Sequence, residues 1–316
     1  MEYRTLGRSG LQVSVVGLGC NNFGMRIDKE KTKDVVDAAI ANGINFFDTA
    51  DIYGGTQSEA FLGEALDERR QNIVLATKFS GPTGEGPGSR GGSRAYIMKA
   101  VEASLRRLNT DYIDLYQYHF PDPSTPIDET LRALDDLICA GKVRYIGNSN
   151  MTGWQVVEAD WIARESHLSP FVTAQNEWSL LNRDIEKELV PACKKYGIGI
   201  LPYFPLASGM LTGKYKRGEA PPEDSRIAAW GRRGERVLSD RNFDIVEGIE
   251  KFAAARDKTP LDVAIGWLLA QDAVSSVIAG ATKPEQIQAN AAAGDFRISP
   301  EELAELDTIL TGEASE

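Results

Sequence analysis

The feature that most constrains the fold is an alternation of short apolar segments with amphipathic ones that repeats eight times. The strand candidates begin near residues 13, 45, 73, 113, 143, 171, 199 and 275, and read VSVVGLG, NFFDTA, IVLATKF, IDLYQYHF, VRYIGNSN, FVTAQNEW, GILPYFPL and SSVIAG. Helical periodicity lies between them, as in TKDVVDAAIANG, RAYIMKAVEASLRRL, DETLRALDDLICAG and EKELVPACKKYG, several of which end at a glycine. Apolar strands that are each followed by an amphipathic helix predict a parallel sheet buried on both faces.

Eight such units predict an α/β fold, a closed (β/α)8 TIM barrel. We expect a hairpin at the start, from Tyr3 to Leu6 and Gln12 to Val16, a helix at the end, and one domain over residues 1–316. An open doubly wound sheet is the structural alternative. It is disfavoured because GLGCNNFG, at residues 17–24, lacks the third glycine of the GxGxxG fingerprint.

Composition narrows the class of partner. The formal net charge of -11 argues against nucleic acid and anionic membranes, and favours a small molecule. The cysteines Cys20, Cys139 and Cys193 form no CxxC pair, which predicts reduced thiols in the cytoplasm. We find no signal peptide, and no apolar run approaches the roughly 20 residues that span a bilayer. The sequence does not indicate an oligomeric state.

Four polar residues stand where three consecutive strands end. His119, one of only two histidines, closes the apolar run IDLYQYHF. Asp48 and Tyr53 belong to NFFDTADIY, and Lys78 closes the run NIVLATKF. Because barrel enzymes carry their chemistry at the carboxyl ends of the strands, we expect these four side chains to form one site.

Together the four side chains predict a proton donor for a carbonyl oxygen. A tyrosine has an ordinary pKa of about 10, so Tyr53 is a poor acid unless a cation such as Lys78 stabilises its phenolate. Asp48 would hold the lysine ammonium, and His119 would position the carbonyl oxygen or relay a proton. None of the four can supply a hydride, so reduction would require a nicotinamide cofactor.

Each of these residues also has a purely structural interpretation. Asp48 and Asp51 could cap the turn in NFFDTAD, Tyr53 could be a surface aromatic, and His119 could be a core histidine. Lys78 is the hardest of these residues to explain structurally. A lysine directly after IVLAT would be buried among apolar side chains, where its charge requires a partner. A metal-dependent hydrolase that uses Asp48, Asp51 and His119 is a further alternative, with few histidines to supply ligands.

The order of the motifs resembles that of the aldo-keto reductase superfamily. The motifs are DTADIYG, ATKF, DLYQYHFP, GNSN, AQNEWSLL, YFPLASGMLTGKY and VIAGATKPEQIQAN, and the resemblance runs from about residue 3 to residue 310. It implies a barrel that reduces aldehydes or ketones, or oxidises alcohols, with NAD(P)H bound across the carboxyl ends of the strands. It also implies that Asp48, Tyr53, Lys78 and His119 are the catalytic tetrad, with Tyr53 as general acid in reduction and general base in oxidation.

The resemblance further implies a set of cofactor contacts. Ser149, Asn150 and Gln175 would hydrogen-bond the nicotinamide carboxamide, and Tyr203 would stack on the nicotinamide ring. Without the resemblance, turn chemistry for Ser149 and Asn150 and a core role for Tyr203 are slightly favoured. The residues that would wrap the pyrophosphate or lie near the adenine half are Leu206, Ser208, Gly209, Lys214, Gly280, Gln286 and Asn290.

The segment GATKPEQIQAN predicts the start of a helix on its own. Thr282 would be the N-cap, Pro284 would lie in the first turn, and Glu285 would complete a capping box. An exposed helix N-terminus attracts phosphate, and Lys283 adds a full charge, so NADP(H) is favoured over NAD(H). Many relatives carry arginine here, so the single lysine leaves NAD(H) open, and a solvated surface lysine is the structural alternative.

Long loops and further side chains are expected around the same mouth. GPTGEGPGSRGGS, PDPSTP and KYKRGEAPPEDSRIAAWGRRGERVLS follow strand ends, so they would wall a substrate or close over a cofactor, or be tolerated insertions. Cys20 and Asn21 would also face the mouth, with Cys20 as a buried packing residue rather than a redox thiol. The aromatic candidates for the substrate pocket, which would suit a bulky or cyclic carbonyl compound, are Phe79, Phe120, Trp178 and Trp230.

Two functional hypotheses follow. The first is a reductase that uses NADPH on a small carbonyl compound, with the reverse oxidation equally allowed. The second is a cofactor-binding regulatory or scaffolding protein with weak turnover, because the superfamily includes the β subunits of potassium channels.

Overall fold

The computed structural model is a parallel eight-stranded barrel surrounded by helices. It describes residues 1–222, 225–229, 234 and 237–311, without the side chains of residues 226 and 229. The sheet order is β10-β3-β4-β5-β6-β7-β8-β9, with a separate antiparallel hairpin of β1 and β2. The strands are β1 (Tyr3–Thr5), β2 (Gln12–Ser14), β3 (Val16–Gly19), β4 (Phe46–Asp48), β5 (Val74–Phe79), β6 (Ile113–Tyr118), β7 (Val143–Ser149), β8 (Thr173–Gln175), β9 (Gly199–Ile200) and β10 (Val277–Gly280).

The helices follow the strands in the predicted alternation and form the outer layer. They are α1 (Lys29–Ala41), α2 (Gln57–Leu66), α3 (Arg94–Leu108), α4 (Ile127–Cys139), α5 (Gly153–Glu165), α6 (Leu189–Tyr196), α7 (Arg226–Ala229), α8 (Asp240–Ala254), α9 (Pro260–Leu269), α10 (Pro284–Ala293) and α11 (Pro300–Thr311). Gly43, Gly141 and Gly197 follow α1, α4 and α6 with φ angles of 77°, 74° and 67°. Only glycine adopts this conformation without strain, which is why these helices end there.

The barrel closes between β9 and the segment that leads into β10. Ile200 N donates to Ala273 O at 2.7 Å, and Ser275 N donates to Ile200 O at 3.0 Å. One step further on, Ile278 N donates to Pro202 O at 2.9 Å. Proline has no N–H, so it cannot extend the ladder of β9, but its carbonyl still accepts. The prediction of a TIM barrel with an N-terminal hairpin and a C-terminal helix is confirmed, and the open doubly wound alternative is wrong.

Alternation along each strand divides the buried side chains between two layers. In β5, Val74 and Ala76 belong to an apolar cluster inside the barrel, whereas Leu75 and Phe79 pack in the layer between barrel and helices. The inner cluster consists of Leu6, Val13, Phe46, Val74, Ala76, Leu115, Val172, Leu201 and Ile278. Its members from the hairpin, Leu6 and Val13, close the amino end of the barrel. At the carboxyl end the inward series continues with polar side chains such as Lys78.

The cysteines and the helices bear on two further expectations. None of the three cysteines is in a disulfide; Cys20 and Cys193 are buried and Cys139 is exposed. Among the described residues, no helix combines the length and the apolarity that crossing a bilayer would require.

We expect Leu6→Ala to lower the free energy of unfolding by about 2–5 kcal/mol, because the smaller side chain leaves a cavity at the amino end of the inner cluster. Urea unfolding followed by circular dichroism measures the change. Met25→Ala is the control, since this exposed side chain should change the value by no more than about 0.5 kcal/mol. Equal effects of the two variants would mean that the hairpin does not contribute to the barrel core.

Candidate active site

The predicted polar residues meet at the carboxyl end of the barrel. Asp48 is the last residue of β4, Lys78 is the penultimate residue of β5, and His119 directly follows β6. The parallel register aligns Asp48 with Ala76 and Lys78 with Gln117, so the inward side chains of these three neighbouring strands converge. The structure thus brings these side chains together, and their roles in catalysis stay a prediction.

The lysine ammonium lies at the centre of the site. Lys78 is 0% exposed, and its Nζ donates to Asp48 Oδ2 at 2.6 Å, to Thr49 O at 2.9 Å and to Tyr53 Oη at 3.4 Å. Burial on its own lowers the pKa of Lys78, but the interactions with Asp48 and Tyr53 together outweigh it, so the pKa lies above its ordinary value. The ammonium is therefore charged at neutral pH and points at a tyrosine hydroxyl.

The carboxylate that holds the lysine is itself fixed by two amides. Asp48 Oδ1 accepts from Gln117 Nε2 at 2.8 Å and from Gln175 Nε2 at 3.0 Å. With Lys78 on the other oxygen, the buried carboxylate is fully hydrogen-bonded. Sequence reasoning missed Gln117, although the signal was present: it stands two residues before His119 on a strand, so both side chains face the same side.

A glycine leaves room for this amide. Gly147 pairs with Gln117 across β6 and β7. A Cβ atom at Gly147 would lie 2.2 Å from Thr173 Oγ1 and 3.3 Å from Gln117 Cγ. A larger residue at this position would therefore displace the side chains that support Asp48.

Tyr53 reaches the site from a short turn after β4. The next residue, Gly54, has a φ angle of 57°, and a Cβ atom on it would lie 2.4 Å from Phe23 O, so the turn requires glycine. Burial raises the pKa of Tyr53 and outweighs the opposing effect of Lys78, so the net pKa lies above 10. The lysine acts in the direction that the sequence suggested, but the phenol stays protonated across the neutral range.

His119 is a neutral ring at the edge of the site. It is 6% exposed, and burial together with the Lys78 charge holds its pKa well below 6.5. Its ring lies edge-on to Tyr53 at 5.8 Å between centroids and stacks on Phe120 at 4.0 Å. Its Nδ1 is buried without a hydrogen-bond partner in the described chain. A neutral imidazole beside a protonated phenol can hydrogen-bond a carbonyl oxygen.

A second set of polar side chains lies at the strand ends that follow His119 in the chain. Ser149 Oγ donates to Gln175 O at 2.8 Å, Asn150 Nδ2 donates to His119 O at 3.0 Å, and Tyr203 Oη donates to Asn150 Oδ1 at 2.8 Å. Asn150 adopts a left-handed conformation with a φ of 58°. The structure thus places four residues next to the tetrad, and each of them makes a hydrogen bond within the protein. They are Ser149, Asn150, Gln175 and Tyr203.

Cys20 and Asn21 end β3 beside the site. Cys20 is fully buried, its backbone N donates to Asp48 O at 2.8 Å, and burial raises the pKa of its thiol well above 9. A buried thiol with a raised pKa is a poor nucleophile, which favours the interpretation of Cys20 as a packing residue. Asn21 lies at the rim against Gly280, where a Cβ atom would be 3.3 Å from Asn21 Oδ1.

The segment after β9 contains a strained turn. Ala207, Ser208 and Gly209 have φ angles of 44°, 60° and 96°, a left-handed run that alanine and serine seldom adopt. A Cβ atom at Gly209 would lie 2.7 Å from Lys214 Nζ, so the ammonium rests directly over this turn. Leu206 lies immediately before this run, as the N-cap of the short 3-10 helix Ala207–Thr212. Strain of this kind is typical of ligand-binding loops.

The helix at the last strand end begins differently from the prediction. The N-cap of α10 is Lys283, in extended conformation and without a side-chain cap, and Pro284 is the first helical residue as expected. Thr282 does not cap the helix, because its backbone N and its hydroxyl both donate to Gln286 Oε1, at 2.7 and 3.2 Å. The predicted capping box of Thr282 and Glu285 is therefore wrong.

The remaining residues predicted in this segment are placed as follows. Asn290 is buried in α10, whereas Lys283 and Gln286 are exposed at its start. The first turn thus has no side-chain cap and lies beside an exposed ammonium, but Pro284 has no N–H and Gln286 N donates to Lys283 O at 3.2 Å.

Two of the four predicted pocket aromatics are core residues. Phe79 is fully buried and stacks on Tyr118 between barrel and helices. Trp178 is 1% exposed and packs against Trp267. Both predictions are wrong because their side chains point away from the barrel mouth. Phe120 is 42% exposed on the His119 ring, and Trp230 lies outside the described residues.

The metal-dependent alternative finds no support in the described part of the chain. No group of three or more His, Cys, Asp or Glu side chains there could hold a metal ion. Asp51, which that alternative requires, turns away from Asp48 and lies 3.3 Å from the Tyr96 hydroxyl of α3.

Comparisons with known proteins agree with this geometry. The model of the aldo/keto reductase family matches residues 15–311. A probable voltage-gated potassium channel subunit beta of Arabidopsis thaliana is 39% identical over 303 residues, covering 93% of this chain and 92% of that protein. An uncharacterized oxidoreductase of Bacillus subtilis is 36% identical, covering 100% and 98%. A probable aldo-keto reductase of Glycine max is 38% identical, covering 95% and 86%.

We expect Asp48→Asn to destabilise the protein by about 3–5 kcal/mol, because it leaves the Lys78 ammonium buried without a counter-charge. Asparagine also offers a single acceptor oxygen to three donors. Urea unfolding at pH 7 measures the loss. The control, Lys33→Ala, breaks the exposed pair with Asp37 and should cost about 0–1 kcal/mol. A loss no larger than that of the control would show that the buried pair is not required for folding.

Proposed function

The chain belongs to the aldo/keto reductase family, and on this premise we propose that it is an NADP(H)-dependent oxidoreductase that reduces an aldehyde or ketone, or oxidises the alcohol. Membership supports carbonyl reduction in general. The observation that carries the specific proposal is the buried ammonium of Lys78, which Asp48 holds within 3.4 Å of the Tyr53 hydroxyl.

Each side chain of the tetrad then has a definite role. Tyr53, which is protonated at neutral pH, donates its proton to the substrate oxygen. Lys78 stabilises the phenolate that this leaves, and its own charge is maintained by Asp48. His119 is neutral and orients the same oxygen by a hydrogen bond. In the oxidation the phenolate of Tyr53 takes the proton back.

A nicotinamide cofactor would supply the hydride that none of these groups can provide. The residues around the mouth fit such a cofactor by their chemistry. The strained turn at Ser208, with the Lys214 ammonium over it, presents backbone and positive charge to a pyrophosphate. Ser149, Asn150, Gln175 and Tyr203 would lie at the nicotinamide. Leu206, Gly209, Gly280, Gln286 and Asn290, with Cys20 and Asn21 at the end of β3, complete the proposed contacts.

We favour NADP(H) over NAD(H) because of the start of α10. The first turn has no side-chain cap, so the positive end of the helix dipole attracts an anion. Lys283 adds a positive charge that would pair with the 2′-phosphate of NADP(H). NAD(H) has an uncharged hydroxyl at that position and would gain no such pairing.

An exposed aromatic ring favours a bulky or cyclic carbonyl substrate. Phe120 stacks on His119 with an interplanar angle of 15° and presents a flat apolar wall next to the proposed proton donor. A planar or cyclic compound would bury this face against its own.

A cofactor-binding regulatory protein with weak turnover is the second candidate. It is favoured by the relatives named as potassium channel subunits, one of which is 39% identical to this chain. The hydrogen-bonded group of Asp48, Lys78 and Tyr53 favours turnover instead. Fluorescence titration with NADPH and NADH, followed by a panel of aldehydes and ketones, separates the two. Tight binding without turnover of any carbonyl compound would favour the regulatory candidate.

We expect Tyr53→Phe to lower the rate of carbonyl reduction by about 10²–10⁴-fold, because it removes the proton donor. The affinity for NADPH should stay near that of the wild type, which a fluorescence titration checks. Tyr3→Phe, at an exposed tyrosine of the hairpin, is the control and should retain full rate. Retained turnover in Tyr53→Phe would exclude this tyrosine as the acid, and lost cofactor binding would assign it a structural role.

We expect Lys283→Ala to weaken NADPH binding by about 1–3 kcal/mol, the cost of a lost charged contact, with little change for NADH. Parallel titrations with the two nucleotides measure the difference. Lys251→Ala, at an exposed lysine in the last turn of α8, is the charge-matched control. Equal weakening of both nucleotides would place the 2′-phosphate elsewhere.

A further inference from the structure

A second set of buried polar groups lies on the other face of β5, between barrel and helices. We call it the outer polar cluster, and its members are Asp51, Glu59, Thr77, Tyr96, Arg107 and Tyr116. Thr77 Oγ1 donates to Glu59 Oε1 at 2.6 Å, and Arg107 Nε donates to Glu59 Oε2 at 2.7 Å. These contacts pair Glu59 with Arg107. They leave Asp51, which is equally buried, without a cation of its own.

The hydrogen bonds of Tyr96 indicate whether Asp51 carries a proton. Tyr96 Oη lies 3.3 Å from Thr83 Oγ1, a hydroxyl that can donate to it. Its two contacts with acceptors are Gly81 O at 3.0 Å and Asp51 Oδ2 at 3.3 Å. The phenol has one proton, and a backbone carbonyl can only accept. An ionised Asp51 would therefore leave one of the two contacts without a proton. A neutral Asp51 satisfies both, because its carboxyl group donates to Tyr96 and Tyr96 donates to Gly81.

On balance, the surroundings of Asp51 also favour its neutral form. Asp51 faces Glu59 on α2, Tyr96 and Arg107 on α3, and Tyr116 on β6. Burial, and then the Glu59 carboxylate, raise the pKa of Asp51 to about 7, while the attraction of Arg107 and hydrogen bonds with Tyr96 and the Ile52 backbone act in the opposite direction. Asp51 Oδ1 and Tyr116 Oη are buried without a hydrogen-bond partner in the described chain, so a charge on Asp51 would be poorly solvated.

The segment of Asp51 and Ile52 is joined to the proposed active site by two contacts. The backbone N of Asp51 donates to Lys78 O at 3.2 Å. Gly81 packs so closely on Ile52 that a Cβ atom on the glycine would lie 2.6 Å from Ile52 Cγ2. Ile52 immediately precedes Tyr53. The contact between Tyr96 and Gly81 therefore sets how the β5–α3 loop (residues 80–93) lies against the turn that carries the proton donor.

We propose that Asp51 is a positioning residue that works as a neutral acid: it donates to Tyr96 and, through Tyr96, holds the β5–α3 loop against the turn of Ile52 and Tyr53. Ionisation of Asp51 leaves Tyr96 with two acceptors and one proton, and the loop is released. The proposal rests on the proposed function only for its effect on turnover.

Cleavage by trypsin after Arg90 tests the loop without any assumption about activity, since Arg90 lies inside the β5–α3 loop. Rates are divided by those for a peptide of residues 80–93, which corrects for the pH dependence of trypsin. For the wild type we expect the corrected rate to rise about tenfold from pH 6 to pH 8.5, as does the ionised fraction of a group that titrates near 7.

Two variants assign this change to the proposed contacts. Asp51→Asn should give a slow rate at every pH, because its amide donates to Tyr96 and does not ionise. Tyr96→Phe should give a fast rate at every pH, because it removes the link to Gly81. Asp111→Asn, at an exposed aspartate, is the control and should follow the wild type. A rise in Asp51→Asn equal to that of the wild type would overturn the proposal.

Infrared spectroscopy keeps the test decisive if Asp51→Asn does not fold. The wild type should show the carbonyl stretch of a buried protonated carboxylic acid below pH 7, and the band should disappear as the pH rises. Tyr96→Phe should shift the band, because it removes the acceptor of that proton. Absence of a protonated carboxyl group at pH 6 in the wild type would contradict the proposal.

Steady-state kinetics connects the loop to the site. In the wild type the KM for a carbonyl substrate should rise with pH over the same range while kcat changes less, and in Asp51→Asn the KM should stay constant. A loop that responds to pH without any change in KM would overturn the positioning role. Absence of turnover of every carbonyl compound would count against the proposed function, whereas the trypsin and infrared results would still decide on Asp51.

Discussion

The interaction on which the rest of the site depends is the ion pair of Lys78 and Asp48 at the carboxyl end of the barrel. Two charges withdrawn from water are tolerated only where further hydrogen bonds satisfy them. Here Gln117 and Gln175 donate to the carboxylate, and Thr49 O accepts from the ammonium. The identities of inward residues on four strands are thereby tied to one carboxylate.

That requirement explains how the inner face changes character along the strands. Val74 and Ala76 precede Lys78 on the inner face of β5, and Leu115 precedes Gln117 on that of β6. The apolar cluster fills the barrel below the pair and excludes water from that side. The low dielectric that results raises the cost of an unpaired charge, but it also strengthens the attraction between Lys78 and its partners. In these surroundings Asp48 helps to keep the lysine charged, and burial keeps the tyrosine protonated.

The sequence was sufficient to predict the fold and the proximity of Asp48, Tyr53, Lys78 and His119, because both depend on regular patterns. Eight apolar runs determine the barrel, and an ionisable residue at the end of such a run has few structural explanations, as Lys78 shows. The failures involve choices among local partners. Thr282 had a capping partner at Glu285, but Gln286 reaches back to it instead. Phe79 and Trp178 lie near the mouth in sequence, yet period-2 alternation and a tryptophan pair direct them into the outer core.

The same alternation places two polar clusters back to back on β5, and their charges differ. On the inner face one ammonium meets one carboxylate, and the pair is closed by amides. On the outer face Arg107 is bound to Glu59, and the second carboxyl group, Asp51, faces orphaned oxygens. A low-dielectric layer does not hold an unbalanced anion, so the outer cluster is electrically balanced only while Asp51 retains its proton. Since the backbone of Asp51 bonds to Lys78 O, a change of charge on the outer face reaches the strand that carries the inner one.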